Sequence, residues 1–313
     1  MNLRRFAAIL ACITALVAVD SSSGAQTLPT IKVTTLSIDA GAEVYYAKDM
    51  GFFSKAGIDV EIFPAANGGA TTAAVAGGGA DIGYTDLVSL SAAHSRGVPF
   101  TIIAPAALYE ASAPTTALVV AANSPIRSAK DLNGKVLAGS GLGTISGYGP
   151  RAWIDANGGD ASTVKFVELA FPAMKPALDA GRIDAATIAE PFLSAARKTD
   201  RILANPYDAV AKEFYISVYF TTSPWAKEHP ELVERFTAAM REAAVWANKN
   251  HDKSEEILLK YAKIDPLLVA GATRIRYGER LQASLVQPVI ALAAKYQKFA
   301  PFPAEDLIYK PAR

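Results

Sequence analysis

Six short segments of this 313-residue chain gather residue types suited to holding a small molecule. They are Ser37-Ile38-Asp39, Asn67-Gly68-Gly69-Ala70-Thr71, Thr85-Asp86, the run from Ser140 through Gly141, Gly143 and Thr144 to Ser146, Phe171-Pro172, and Glu190-Pro191-Phe192. Gly- and hydroxyl-rich segments that open a helix leave backbone N–H donors unpaired, and the helix dipole there favours negative charge. An acceptor group such as a carboxylate or sulfonate fits those donors without any basic side chain. Asp39, Asp86 and Glu190 point the other way, toward a ligand that donates hydrogen bonds, such as an amine or aminopyrimidine. Phe171, Phe192, Tyr84 and Tyr219 are candidates to sandwich an aromatic ring. The expectation is a small organic acid, aromatic bodies included, with a thiamine-pyrimidine precursor as the alternative. The same residues also have plainer roles: Gly68-Gly69 and Gly141-Leu142-Gly143 as tight turns, Asp86 as a helix N-cap, and Glu190 as the electrostatic partner of a helix start.

Catalytic patterns are missing from the sequence. His94, His229 and His251 are scattered and form no metal-binding pair, and no G-x-S-x-G nucleophile elbow occurs. Gly141-Leu142-Gly143 lacks a third glycine in register and is followed by no Lys-Ser or Lys-Thr pair, so neither a dinucleotide nor a phosphate-loop fingerprint is present. No enzyme activity, cofactor or metal is expected, an enzyme on the same fold being the lesser alternative.

These segments need elements to position them, and the hydrophobic pattern supplies them. Ile31 to Leu36 reads as a strand, Glu43 to Ala56 as a helix closed by Gly57, Ile58 to Phe63 as a strand, Ala70 to Ala76 as a helix, and Asp81 to Tyr84 as a strand. The order repeats from Val136: strand, a helix ending by Asn157, strand Val164 to Val167, a helix over Met174 to Ala180, and a strand from Ile183. Gly78-x-x-Asp81 and Gly181-x-x-Asp184 hold the same place in the two halves. Strand–helix alternation implies mostly parallel sheets covered by helices, so the fold class is α/β with two similar lobes and the ligand between them. The candidate segments fall at the carboxyl ends of the strands, where ligands of such sheets sit. Two extended runs, Thr115 to Ala122 and Phe214 to Thr222, are expected as hinge crossovers. The division is then 26–118 with 219–313 for the first lobe and its C-terminal helices, and 119–218 for the second. Pro150 would forfeit a hydrogen bond inside a helix begun at Thr144, so a start at Pro150, with Gly141 to Gly149 as a longer ligand loop, stands beside a start at Thr144.

Hydrophobic residues make up 51% of the chain and charged residues 19%, with a net charge of +1. The first pair of numbers leaves ample apolar material for sizeable cores, and a length of 313 residues makes two lobes the default. The near-neutral balance offers no field for gathering nucleic acid. Residues 1–25 read as a cleavable export signal: Arg4-Arg5, an apolar run from Phe6 to Val19, then Ser23-Gly24-Ala25 before a cut at Gln26. At about 1.5 Å per residue that run reaches about 21 Å, short of the ~30 Å hydrocarbon layer. The only cysteine is Cys12, so the mature chain would carry no thiol and no disulfide.

The stretch from Tyr45 to Val60, with Lys48-Asp49-Met50-Gly51-Phe52-Phe53 and Ala56-Gly57-Ile58-Asp59-Val60, followed by Gly78-Gly79-Ala80-Asp81-Ile82-Gly83, resembles exported substrate-binding proteins of ABC importers. The branch is the nitrate, sulfonate, taurine and thiamine-precursor one (NMT1/THI5-like). Ser128-Ala129-Lys130-Asp131-Leu132 and Ala177-Leu178-Asp179-Ala180-Gly181 resemble its second lobe. The resemblance implies the type II-like periplasmic-binding-protein fold, binding loops at Asn67 to Thr71, Thr85-Asp86, Gly143 to Ser146 and Glu190, and a clamp that closes on one solute. It further implies a monomer in the periplasm whose partners are that solute and, transiently, a membrane ABC permease.

Overall fold

A computed structural model describes residues 27–262 and 265–311; the export signal expected at 1–25 lies outside the described residues. In the first part of the chain, β1 (Thr30–Leu36) passes through a 3-10 turn (Asp39–Gly41) into α1 (Glu43–Asp49) and α2 (Phe52–Lys55). Then come β2 (Asp59–Ala65), α3 (Gly68–Ala76), β3 (Ile82–Asp86), α4 (Leu87–Ser95), β4 (Phe100–Pro105) and β5 (Ala107–Glu110). The helix expected over Glu43 to Ala56 is broken after Asp49, because Gly51 takes a left-handed conformation (φ 73°) that no α-helix continues through.

The middle of the chain contains β6 (Thr116–Ala121), β7 (Val136–Gly139), α5 (Ile145–Ala156), β8 (Lys165–Glu168), α6 (Phe171–Asp179), β9 (Ala185–Ala189), α7 (Phe192–Ala196) and β10 (Asp200–Ala204). Helix α5 begins at Ile145, not at Pro150; Pro150 sits inside it, and the Gly147 and Tyr148 N–H groups already bond the Thr144 carbonyl at 3.0 and 3.1 Å. One missing donor in the second turn is a smaller loss than leaving the whole first turn unformed.

The last part comprises β11 (Glu213–Tyr215), β12 (Ser217–Thr222), α8 (Ser223–Glu228), α9 (Pro230–Ala247), α10 (His251–Ala262), α11 (Pro266–Val269), β13 (Arg276–Tyr277) and α12 (Ala283–Gln297). No helix among the described residues is long and apolar enough to cross a membrane. Tyr261 stacks on Tyr45 at 5.0 Å, and Trp246 meets Tyr46 at 6.1 Å, so these C-terminal aromatics pack helices onto the first lobe.

Two five-stranded sheets organise the molecule, in the orders β2-β1-β3-β12-β4 and β8-β7-β9-β6-β10. In each, three parallel strands are followed by one antiparallel strand that has come across from the other half of the chain: β12 beside β3, and β6 beside β9. The sheets are therefore mixed rather than wholly parallel. A third, small sheet (β11-β5-β13) ties the C-terminal segment to the first. Each large sheet has its own apolar core, the first enclosing Tyr46, Phe53, Tyr219 and Phe236, the second Leu118, Leu137, Met174 and Ile188. The chain thus forms two α/β lobes.

The repeated Gly-x-x-Asp has the same role in both lobes. Gly78 and Gly181 turn in the left-handed region (φ 71° and 62°). Three residues on, Asp81 accepts from the Lys32 N–H at 2.7 Å and Asp184 from the Val136 N–H at 2.8 Å, which aligns the third strand with the first. The hinge assignment needs correction. Both β6 and β12 are bonded on two sides within a sheet, and Phe214 belongs to β11, so the crossings between sheets are the non-strand segments near 111–115 and 205–212.

Candidate functional site

The carboxyl ends of the two sheets face each other across a cavity of about 70 Å³. Of the residues singled out from sequence, Asp39, Gly68, Asp86, Thr144, Ser146, Phe171 and Glu190 line it. Asn67, Gly69 and Gly143 line a separate groove that shares Thr144 with the cavity, and Ser37, Thr71 and Thr85 line neither. The displacement of the last two has a local cause. The hydroxyls of Thr71 and Thr85 both donate to the Gly68 carbonyl, at 2.7 and 3.2 Å, so they fix the turn that presents Gly68 instead of facing the cavity.

Each carboxylate is held by the protein. Asp39 Oδ1 accepts from Arg274 Nη2 at 2.6 Å and Nε at 3.1 Å, and Oδ2 from the Ile275 N–H at 2.8 Å. Both side chains of this ion pair are buried. Tyr46 and Tyr277 complete the cluster, Tyr46 Oη accepting from Arg274 Nη2 at 2.8 Å and the Tyr277 hydroxyl donating to the Asp39 carbonyl. Glu190 accepts from the Ser194 N–H and hydroxyl, both at 3.0 Å. Burial pushes its carboxyl above the usual glutamate range, and the Ser194 bonds offset only part of that.

Asp86 stands at the centre. It caps α4 by accepting from the Val88 and Ser89 N–H groups at 3.0 and 3.1 Å, and Oδ2 takes the Ser89 hydroxyl at 2.6 Å. Oδ1 also accepts from the Ile145 N–H, at the start of α5 in the opposite lobe, at 3.1 Å. A methyl group placed on Gly68, the first residue of α3, would meet Oδ2 at 2.6 Å. One carboxylate therefore faces the N-termini of three helices. Desolvation raises its pKa above the ordinary aspartate value, against the bonds from Ser89, Ile145 and Val88. A second cross-lobe bond lies in the adjoining groove, from Asn67 Nδ2 to Glu168 Oε1 at 3.1 Å.

The remaining lining is apolar or hydroxylic. Ser146 Oγ accepts from the Ser140 N–H at 2.9 Å, and Thr144 Oγ1 donates to the Gly141 carbonyl at 2.7 Å, so both hydroxyls are engaged within their own loop. Phe171 lines the cavity, its ring stacked on Phe192 at 6.4 Å and 9°. Tyr84 lines it too, whereas Tyr219 is packed behind Tyr84 in the core. Three further lining residues carry no signal in the sequence: Ser217 falls in the expected crossover, Ile275 in the expected C-terminal helices, and Tyr207 in a stretch with no assigned element. None of the three histidines and no lysine or arginine lines the cavity, and the described residues hold no metal-binding group of three or more His, Cys, Asp or Glu.

Glu43, in the first turn of α1, is wholly buried and neither carboxyl oxygen has a hydrogen-bond partner. Burial lifts its pKa well above the ordinary glutamate range. A folded-state acid raised in this way contributes stability that is present at low pH and is lost as the pH rises past that range. Replacing Glu43 with methionine, which fills similar volume without an orphaned polar group, is expected to stabilise the protein by about 1 to 3 kcal/mol at neutral pH and by less near pH 4. Urea unfolding of both proteins at the two pH values checks this; a destabilised variant would place a partner on Glu43.

A family model described as NMT1/THI5 like matches residues 40–254. No curated protein matches the chain. Among solved structures, the periplasmic aliphatic sulphonate binding protein SsuA from Escherichia coli superposes with a TM-score of 0.73 at 18% identity, over 91% of this chain and 93% of that one. The periplasmic nitrate-binding protein NrtA from Synechocystis gives 0.71 at 15% identity, over 91% and 92%. A conserved Candida albicans gene product with the generic periplasmic binding protein fold gives 0.71 at 13% identity, over 91% and 97%. At these identities the likeness establishes the fold alone.

Proposed function

The chain belongs to the NMT1/THI5-like family, and on that footing we propose that it is an exported solute-binding protein that captures one small organic molecule between its lobes and delivers it to an ABC importer. The observation that carries the reading is the cavity itself: a small, mostly apolar chamber at the carboxyl ends of both sheets, lined from both lobes, with one inter-lobe hydrogen bond between its lining residues and a second in the adjoining groove. The lobes close by bending at 111–115 and 205–212. A cleaved signal, a periplasmic location, a monomeric state and transient docking on a membrane permease belong to the same proposal.

Binding is favoured over catalysis because no nucleophile–base pair lines the cavity, and the carboxylates there are engaged with protein donors. Of the two ligand classes weighed from sequence, the hydrogen-bond donor now has the better support over the carboxylate or sulfonate. The Asp39 charge is matched by Arg274, whereas among the described residues neither Asp86 nor Glu190 forms an ion pair, and no lysine or arginine lines the cavity. Phe171, Tyr84 and Tyr207 favour a flat ring as the ligand's body. A thermal-shift screen of amino-heterocycles, amines, neutral aromatics, carboxylates and sulfonates tests the proposal. A ligand at ~100 times its dissociation constant adds about 2.7 kcal/mol of stability. A screen in which no compound stabilises the protein would count against a solute receptor.

A further inference from the structure

We propose that Asp86 is a built-in anion that sets the charge selectivity of the cleft, filling the place where a negatively charged ligand would otherwise sit. The inference rests on the receptor reading and deepens it. Helices α4 and α5 direct backbone donors at the Asp86 carboxylate, and α3 begins against it at Gly68. Helices α3 and α4 belong to one lobe and α5 to the other, and α5 runs for 12 residues. Three helix starts converging on a cleft form a region of positive potential where a sulfonate or carboxylate would be favoured. In this chain that potential is already matched by a side chain of the protein, itself buried and in hydrogen-bond contact with both lobes.

Two consequences follow for the ligand. An incoming anion meets a carboxylate instead of free donors, with no lysine or arginine on the lining to offset the repulsion. A neutral or cationic ligand meets acceptors at Asp86 and at Glu190, on opposite lobes. Specificity of this kind comes from an element that repels the wrong solute as much as from one that attracts the right one. Asp86 also bridges the lobes through Ile145, doing for closure what a bound anion would do by spanning the same two helix starts.

The test compares the wild type with Asp86→Ser and Asp86→Asn. Serine keeps a competent cap for α4 but is too short to reach Ile145 and carries no charge; asparagine keeps the reach and removes only the charge. Binding of methanesulfonate, nitrate and benzoate is measured by calorimetry, with folding checked by circular dichroism. The expected result is no measurable binding of the three anions to the wild type, at least a tenfold gain for one or more in Asp86→Ser, and a smaller gain in Asp86→Asn. Micromolar binding of these anions to the wild type, or folded variants with no gain, would overturn the assignment. The receptor reading fails separately. A wild type that binds nothing in the wider screen, beside a serine variant that takes anions, upholds the role of Asp86 while removing the receptor. Anions bound equally by all three proteins do the reverse.

Discussion

Replacing Asp39 with alanine is expected to cost about 3 to 5 kcal/mol of folding stability. The loss comes from what is left behind. Arg274 is buried, and Asp39 supplies its two carboxylate contacts at 2.6 and 3.1 Å as well as the acceptor for the Ile275 N–H. Without it, a guanidinium stays in a low-dielectric interior with only Tyr46 and the His251 carbonyl as partners. Replacing both members, Asp39→Ala with Arg274→Met, is expected to recover most of the loss, since a buried ion pair exchanged for apolar groups is often near neutral. Urea unfolding of the three proteins decides the matter; a single-variant loss below about 1 kcal/mol would mean that solvent reaches the pair.

Tyr207 carries the second large effect. Its ring meets Tyr109 at 5.6 Å and Phe214 at 6.1 Å in edge-on contacts, lies against Gly149 of α5, and forms part of the cavity wall. The approach is tight enough that a methyl group on Gly149 would meet the ring at 2.7 Å. Tyr207→Ala is expected to cost about 3 to 5 kcal/mol and to abolish solute binding, because the emptied space opens the wall between the second lobe and the crossing segment. Tyr207→Phe keeps the packing and should keep most of the stability. Any loss of binding in the phenylalanine variant then reports a hydrogen bond from the Tyr207 hydroxyl to the solute.

These two residues also mark what the sequence could and could not disclose. The two lobes were legible because the strand–helix order repeats, and because Gly78-x-x-Asp81 and Gly181-x-x-Asp184 are local devices whose parts lie within four residues of each other. The strand-tip loops were legible for the same reason, and Asp39, Asp86, Glu190 and Phe171 all reach the cavity. What stayed hidden depends on distant pairing. Arg274 lies 235 positions from Asp39 in a stretch whose pattern is that of a helical tail, so the sequence shows Asp39 as a free acid although it is half of an ion pair. The Asp86 bond to Ile145 spans 59 positions and two lobes, and it reverses the meaning of the Gly- and Thr-rich loops. Those loops do open helices, but the carboxylate facing them belongs to the protein. The hinge was misplaced because an apolar β-rich run looks the same whether it crosses between sheets or completes one.

If the lobes close on a solute, the distance between them beside the Asn67–Glu168 contact must shorten. Ala66 and Ala170 are exposed and flank the Asn67–Glu168 contact on opposite lobes. Cys12 is the only cysteine in the sequence, so Ala66→Cys and Ala170→Cys can be spin-labelled specifically in a chain lacking residues 1–25. Electron–electron distance measurements on that protein, with and without a saturating concentration of a compound from the thermal-shift screen, should show a broad distribution collapse to one shorter distance as solute is added. A distribution unchanged at saturation would contradict the clamp and leave the cavity as a fixed feature of a rigid fold.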